Sequence, residues 1–365
     1  MDTHDTAGGL TEAGDEQELF EHHRIVCDPG QSLMRLDKFL FERLNASRSR
    51  IAAAARNGNV LVNGKPEKPS HKVKPKDEVS IVLPYPVHEV KLIPEDIPLT
   101  VLYEDDDILV IDKQAGLVVH PGHGNWTGTL VNALLFHFGK LPSSPDQPTP
   151  RPGLVHRLDK NTSGVMVIGK TEDALTHLAR QFFERTNDRR YQALVWGDFA
   201  EEAGIVEGNL GRSHKDRTVM QVFPDGELGK PAITHWKVQE RFTYVTLVEC
   251  KLETGRTHQI RAHMKYIGHP LFGDAEYGGD RILKGTVFTK YRQFVENCFA
   301  LLPRQALHAA VLEIDHPRTG KRMRFESPLP ADMQAVLKKW RSYTNTHPLE
   351  DKGEPFDADE ANRIK

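Results

Sequence analysis

The sequence predicts a chain of at least two domains, each assembled from short helices and strands. Three observations carry this. A basic block over residues 31–84 holds eleven Lys/Arg against five Asp/Glu. Pro84, Pro86, Pro94 and Pro98 then mark a stretch of restricted flexibility, as expected of a linker. Beyond it, β-type apolar runs and helical patterns follow one another to about residue 333. A length of 365 residues suits two or three domains.

Residues 1–30 carry eight acids and one base, Arg24, with no sustained periodicity. They are expected to form a disordered acidic tail. In the basic block, Met34, Leu36, Phe39, Leu40 and Leu44 have helical spacing. Ser47 is placed to cap a second helix, Arg48 to Arg56, which Asn57-Gly58 would stop. Val60-Leu-Val62, a turn at Asn63-Gly-Lys65 and a strand at Val79–Leu83 give a hairpin signal. An excess of six positive charges here is a footprint for a polyanion, although a merely solvated basic face would look the same.

The second domain is expected to begin near Leu99. Val101–Lys113 reads as strand, acidic turn, strand, and residues 127–138 as an amphipathic helix. Pro142 to Pro152 should form an exposed loop. Thr171 should cap a helix with Leu175, Leu178, Phe182 and Phe183 on its buried face. Strands are expected at Arg189–Gly197 and Val245–Glu253, the latter feeding a helix capped by Thr257. On that helix His258, Arg261 and Lys265 share one cationic face. Buried cations need anionic partners, so such a partner is implied if the face is not solvated.

The bulk numbers exclude several classes. No apolar run is long enough to span a membrane, and the acidic N-terminus is not a signal peptide. Three well-separated cysteines, Cys27, Cys250 and Cys298, read as reduced thiols of a cytoplasmic protein. His120 and His123 lack a third ligand nearby, so a structural loop is favoured over a metal site. No P-loop or dinucleotide motif occurs, and no cofactor is expected.

The chemistry centres on Pro152-Gly-Leu-Val-His-Arg-Leu-Asp-Lys-Asn-Thr-Ser-Gly164. Apolar runs flank it, so it reads as a tight loop between buried elements. Its one carboxylate, Asp159, follows His156 and Arg157 and precedes Lys160. Cationic neighbours favour an ionised acid, and an ionised Asp in a pocket serves as nucleophile or base. A kinase catalytic loop is rejected: Leu158 separates Arg157 from Asp159, and neither a Gly-rich loop nor Asp-Phe-Gly is present.

The run His156-Arg-Leu-Asp-Lys-Asn-Thr-Ser-Gly164 resembles the signature of the RluA/RluD family of RNA pseudouridine synthases, with Asn161 where that family usually has Asp. Further blocks match in order: Gly116-Leu-Val-Val-His-Pro121, Arg189-Arg-Tyr-Gln-Ala-Leu-Val195, Gly255-Arg-Thr-His-Gln-Ile-Arg261, Leu271–Gly279, Arg304–Ala310 and Ser327–Met333. Arg35-Leu-Asp-Lys-Phe-Leu40, Ser47–Ile51 and Val60–Gly64 resemble the S4 domain of ribosomal proteins. The resemblance implies an α+β catalytic domain with a mixed, largely antiparallel sheet behind a small S4-like α/β domain. The expected order is an acidic tail at 1–30, an RNA-binding domain at 31–92, a catalytic domain at 93–333, and a charged helix or tail at 334–365. The implied reaction isomerises uridine in RNA after base flipping. Asp159 would be the essential residue, Tyr191 would stack on the uracil, and Arg261 would pair with Asp159, with Arg256 as second choice for that pairing. Arg157 would fill the space the base leaves. Arg35, Arg48, Arg50, Lys65, Lys68 and Lys72 are expected to contact phosphates, with His258 and Arg256 as further RNA contacts. Full-length similarity is to the RluD type, implying large-subunit ribosomal RNA as partner and a monomer that works in the cytoplasm. A non-catalytic RNA-binding or ribosome-assembly protein is the alternative.

Overall fold

The computed structural model describes residues 20–44, 48–83, 92–122, 124–143, 151–213, 216, 218–226, 228–286 and 288–347. The chain divides into two compact units, residues 1–91 and 92–365. Residues 1–19, Ser47, Pro84, Pro86, His123, most of the loop from Pro142 to Pro152, and 348–365 lie outside the described residues, as does the side chain of Arg50.

In the first unit, strands β1 (Phe20–Val26), β2 (Met34–Arg35), β3 (Val60–Val62), β4 (Lys65–Pro66), β5 (Lys72–Val73) and β6 (Glu78–Leu83) surround helices α1 (Leu36–Arg43) and α2 (Arg48–Arg56). The main sheet runs β1-β6-β3-β4, and β2 pairs with β5. Leu36, Phe39, Leu40, Ile51, Val60, Val73 and Val79 fill its core. The Asn63-Gly64 turn joins β3 to β4, with both residues at positive φ. One expectation is corrected here. Residues 20–26 are not a disordered tail but a strand that pairs antiparallel with β6 along its length. The backbone gains ladder hydrogen bonds there, whatever the acidity of the flanking sequence.

In the second unit, the strands are β7 (Thr100–Glu104), β8 (Ile108–Lys113), β9 (Ser163–Gly169), β10 (Asp188–Trp196), β11 (Ala203–Arg212), β12 (Met220–Phe223), β13 (Lys230–Arg241), β14 (Val245–Leu252), β15 (Leu307–Asp315) and β16 (Arg322–Glu326). The helices are α3 (Leu130–Phe138), α4 (Glu172–Glu184), α5 (Gln259–Tyr266), α6 (Thr289–Leu301) and α7 (Ala331–Thr346). The strands form one sheet in the order β12-β11-β13-β14-β10-β15-β9-β8-β7, with β16 beside β15. Among the described strands only β9 and β15 run parallel, so the sheet is mixed and largely antiparallel. The fold class is α+β.

Local chemistry explains the helix starts. The Thr129 side chain and Asn132 form a reciprocal capping box on α3. Thr171 Oγ1 accepts from Ala174 N–H, and Glu172 and Asp173 occupy the first turn of α4. The start of α5 departs from expectation. Thr257 does not cap it. His258 holds the N-cap position in the left-handed region (φ 54°) without a side-chain cap, and the Gln259 side chain accepts from Arg256 N–H instead.

Trp340 of α7 is fully buried and meets Phe294 edge-on at 4.9 Å between ring centroids. Met333, Val336 and Leu337 join it in one cluster with Trp196 and Phe272. The helix from 331 to 346 is therefore part of the second unit rather than an appended tail. Trp340→Ala is expected to lower unfolding free energy by about 3–5 kcal/mol in chemical denaturation; a helix lying loosely on the surface would show almost no change.

Candidate active site

Asp159 sits in a loop whose next four residues are held by the core. Lys160 O accepts from Gly116 N–H at 2.9 Å and from Lys113 Nζ at 3.1 Å. Asn161 O accepts from Arg304 Nη1 at 3.0 Å. Thr162 Oγ1 accepts from Gln305 Nε2 at 3.3 Å. Ser163 Oγ bonds to His308 Nδ1 at 3.0 Å. Arg304 is in turn fixed by a two-point ion pair with Asp332. Backbone carbonyls and hydroxyls thus anchor the loop, leaving the Asp159 side chain free to face the cleft. The departure from the family pattern at Asn161 costs little here, because Asn161 holds Arg304 through its backbone carbonyl.

The loop passes directly into β9 at Ser163, and at Gly164, the next residue, φ is +119°. A Cβ at that point would lie 2.2 Å from Ala309 O of β15. Only glycine lets the parallel strands approach this closely.

Lys113 is almost wholly buried, and its ammonium group donates to Gln114 O, Leu117 O and Lys160 O. Burial pushes its pKa down to about 7, while Asp159 opposes that shift. Three carbonyl acceptors match the three donors of an ammonium, which favours the charged form more than burial alone would suggest.

Arg261, on α5, is 4% exposed. Its guanidinium makes a two-point pair with Asp274, Nε to Oδ2 and Nη2 to Oδ1, both 2.7 Å. Nη2 also donates to Glu276 at 2.5 Å, and Nη1 reaches Asp159 Oδ2 at 3.5 Å. The ring of Tyr277 lies 4.8 Å from the guanidinium carbon. Burial opposes the charge of Arg261, but Asp274, Asp159 and Glu276 outweigh it and hold the pKa above its ordinary value. Arg261 therefore does meet Asp159, but its main partner is Asp274.

His258 brings Nε2 to 3.8 Å from Asp159 and bonds through Nδ1 to the Tyr277 hydroxyl at 3.1 Å. Burial lowers its pKa, so the ring is neutral at neutral pH. Tyr191 projects from β10 and is 8% exposed. Burial raises its phenol pKa and keeps it protonated. Lys265 faces the same Tyr277 ring at 5.8 Å.

Asp159, Tyr191, Arg157 and Arg256 line a cleft of 550 Å³, together with Arg151, Arg185 and Arg189. A second pocket of 220 Å³ joins Asp159 to His258, Arg261, Asp274 and Glu276. The expected site residues of this unit therefore converge, and Arg256 contributes a guanidinium at the edge, bonded to Pro231 O. In the first unit, Lys65, Lys68 and Lys72 are exposed. Arg35 and Arg48 are about half exposed, and both pair with the buried Asp37, which neutralises part of their charge locally.

Several residues that matter here carry no separate signal in the sequence. Asp274 and Glu276 lie in the Leu271–Gly279 block, whose resemblance implies no roles for them. Lys113, Arg189 and Arg304 are likewise silent. Near neither pocket, Asp105, Asp107 and His316 cluster; His316 and Arg318 ion-pair with those acids, which satisfies them without a metal.

The arrangement sets Asp159 and Tyr191 among several arginines in a cleft suited to a flipped base on a polyanion. Comparisons with known proteins agree. The RNA pseudouridylate synthase family matches residues 107–266, and the S4 domain matches residues 34–79. An uncharacterized RNA pseudouridine synthase of Chlorobaculum parvum is 48% identical over 86% of this chain and 95% of its own length. The ribosomal large subunit pseudouridine synthase D of Nitrosomonas europaea is 44% identical over 85% of each chain. The solved structure of human RNA pseudouridylate synthase domain containing 4 is 25% identical and superposes with a TM-score of 0.51, covering 66% of this chain and 93% of that one. The chain belongs to the RNA pseudouridine synthase family and carries an S4 domain. It is an RNA-binding enzyme that isomerises uridine to pseudouridine in RNA.

Removing Arg261 strands a buried carboxylate. Arg261→Ala is expected to cost about 3–5 kcal/mol in urea unfolding, through loss of a buried pair with one partner left charged. Asp274→Asn in the same background should recover part of that loss. No recovery would mean that Asp274 is not the anion Arg261 serves.

Proposed function

We propose that this enzyme acts on uridines of large-subunit ribosomal RNA, with Asp159 as the residue that drives the chemistry. The observation that supports this most is the anchored loop that presents Asp159 to the cleft, 3.5 Å from a cation already satisfied by Asp274. The carboxylate is thus oriented without being locked in a two-point pair. The isomerisation conserves every atom of the uridine except one exchangeable proton. The N1–C1′ bond breaks, the uracil turns, C5 bonds to C1′, the C5 proton leaves to solvent, and N1 takes up a proton.

Asp159 acts on the sugar or the base, as nucleophile or base. Tyr191, a neutral phenol lining the cleft, packs against the uracil face. Arg261 and His258 set the position and electrostatics of Asp159. Arg157, exposed on the cleft wall, fills the gap in the RNA left by the flipped nucleotide. The S4 unit adds phosphate contacts through Lys65, Lys68 and Lys72, with Arg35, Arg48 and Arg50 in support. The ribosomal substrate is supported by the 44% identity to a protein named for the large ribosomal subunit. The protein is proposed to work as a monomer in the cytoplasm. No described helix is long and apolar enough to cross a membrane.

Release of tritium from RNA labelled at uridine C5 tests the chemistry. Asp159→Asn is expected to release none above background while binding RNA within a few-fold of wild type. Near-normal release would remove Asp159 from the mechanism.

The S4 lysines make a separate prediction. Changing Lys65, Lys68 and Lys72 to Gln should weaken RNA binding. It should also flatten the plot of log affinity against log salt, by about one unit for each lysine that meets a phosphate. An unchanged slope would exclude all three from the phosphate backbone.

A further inference from the structure

Arg189 stands apart from the other arginines of the cleft. It is 8% exposed, yet its guanidinium has no hydrogen-bond or ion-pair partner among the described residues, and its Nε is sealed from solvent without an acceptor. A buried, unpaired guanidinium is costly in a folded protein. The nearest acid in sequence, Asp188, points to the other face of β10 and is bonded to Arg190 and Lys251. The Arg189 guanidinium lies 5.5 Å from the centre of the Phe182 ring. On its other side is Gly255, where a Cβ would fall 2.6 Å from Nη1. The side chain is therefore held between a ring and a glycine, on the wall of the 550 Å³ cleft that holds Asp159 and Tyr191. Arg151, Arg157 and Arg185 line the same cleft. Only Asp159 and Glu253 supply negative charge among the lining residues.

We propose that Arg189 binds one phosphodiester of the RNA backbone beside the uridine that enters the Asp159 cleft. The inference rests on reading this cleft as the uridine site. A fully charged anion compensates a desolvated guanidinium far better than a neutral base carbonyl does, and a phosphate accepts from the guanidinium fork at two points. The glycine at 255 keeps that fork in place. Arg189 is then a binding residue that fixes where the flipped nucleotide's backbone lies, so that C1′ arrives at Asp159.

The test uses the full-length protein and RNA stem-loops, each carrying one uridine that wild type converts in unmodified large-subunit ribosomal RNA. Each stem-loop bears a single methylphosphonate, which removes one phosphate charge, at successive positions around that uridine. For wild type, one position next to the uridine should weaken binding on the order of tenfold. Arg189→Gln should lose a similar factor with ordinary RNA, and should lose nothing further with the methylphosphonate at that one position, while other positions behave as in wild type. Gly255→Ala, which keeps Arg189 but displaces its guanidinium, should shift the profile in the same direction, and it supplies the measurement should Arg189→Gln not fold. Additive losses at every position would overturn the proposal. So would non-additivity with a uracil lacking O4 in place of the methylphosphonate, since Arg189 would then serve the base. If wild type converts no uridine at all, the reading of the cleft fails first, and that result is separate from an additive profile.

Discussion

The buried charge of Arg261 is the constraint around which the site is arranged. A guanidinium with 4% exposure needs acceptors on its whole edge. Asp274 takes two of its donors at 2.7 Å, which ties α5 to the segment after it, and Tyr277 of that segment covers the guanidinium face. Glu276 takes a further Nη2 donor at 2.5 Å, which leaves Nη1 turned towards Asp159 at 3.5 Å. The two-point geometry is taken by Asp274, so Asp159 is not held in that way. The pair at 274 therefore lets one cation steer Asp159 without consuming it.

The rest of the unit supplies rigidity by holding the loop after Asp159. Five contacts hold residues 160–163, so the position of Asp159 is set by the loop rather than by its own side-chain bonds. The parallel pairing of β9 with β15 brings Arg304, Gln305 and His308 up against that loop, and the close approach at Gly164 makes the pairing possible. Tyr191 and Arg189 alternate with Arg190 along β10, so one strand presents an aromatic and a cation to the cleft while its other face binds Asp188 into a surface ion pair. Catalysis by a preorganised carboxylate depends on this kind of fixed surround.

Much of this is legible in the sequence because local chemistry decides it. The cap at Thr171, the Asn63-Gly64 hairpin and the burial of Leu175 and Leu178 on α4 each follow from a few neighbouring residues, whereas Phe183, expected on the same buried face, is 87% exposed. The central loop is legible because thirteen residues of unusual composition sit between apolar runs. Non-local choices are not. The strand at Phe20–Val26 is hidden in an acidic segment, since nothing local reveals that β6 offers it a ladder. Thr257 has the hydroxyl of a cap, but the Gln259 side chain takes the open N–H of Arg256 instead. The partner of Arg261 is thirteen residues away across a turn, and periodicity says only that some anion is required. The unpaired state of Arg189 is a property of packing alone.

Pseudouridine mapping in ribosomal RNA from cells lacking this protein tests the reading most directly, with wild type and Asp159→Asn restored in parallel. Specific pseudouridines of the large-subunit RNA should be missing, wild type should restore them, and Asp159→Asn should restore none while accumulating as folded protein. Unchanged large-subunit pseudouridines on loss of the protein, or full restoration by Asp159→Asn, would contradict it.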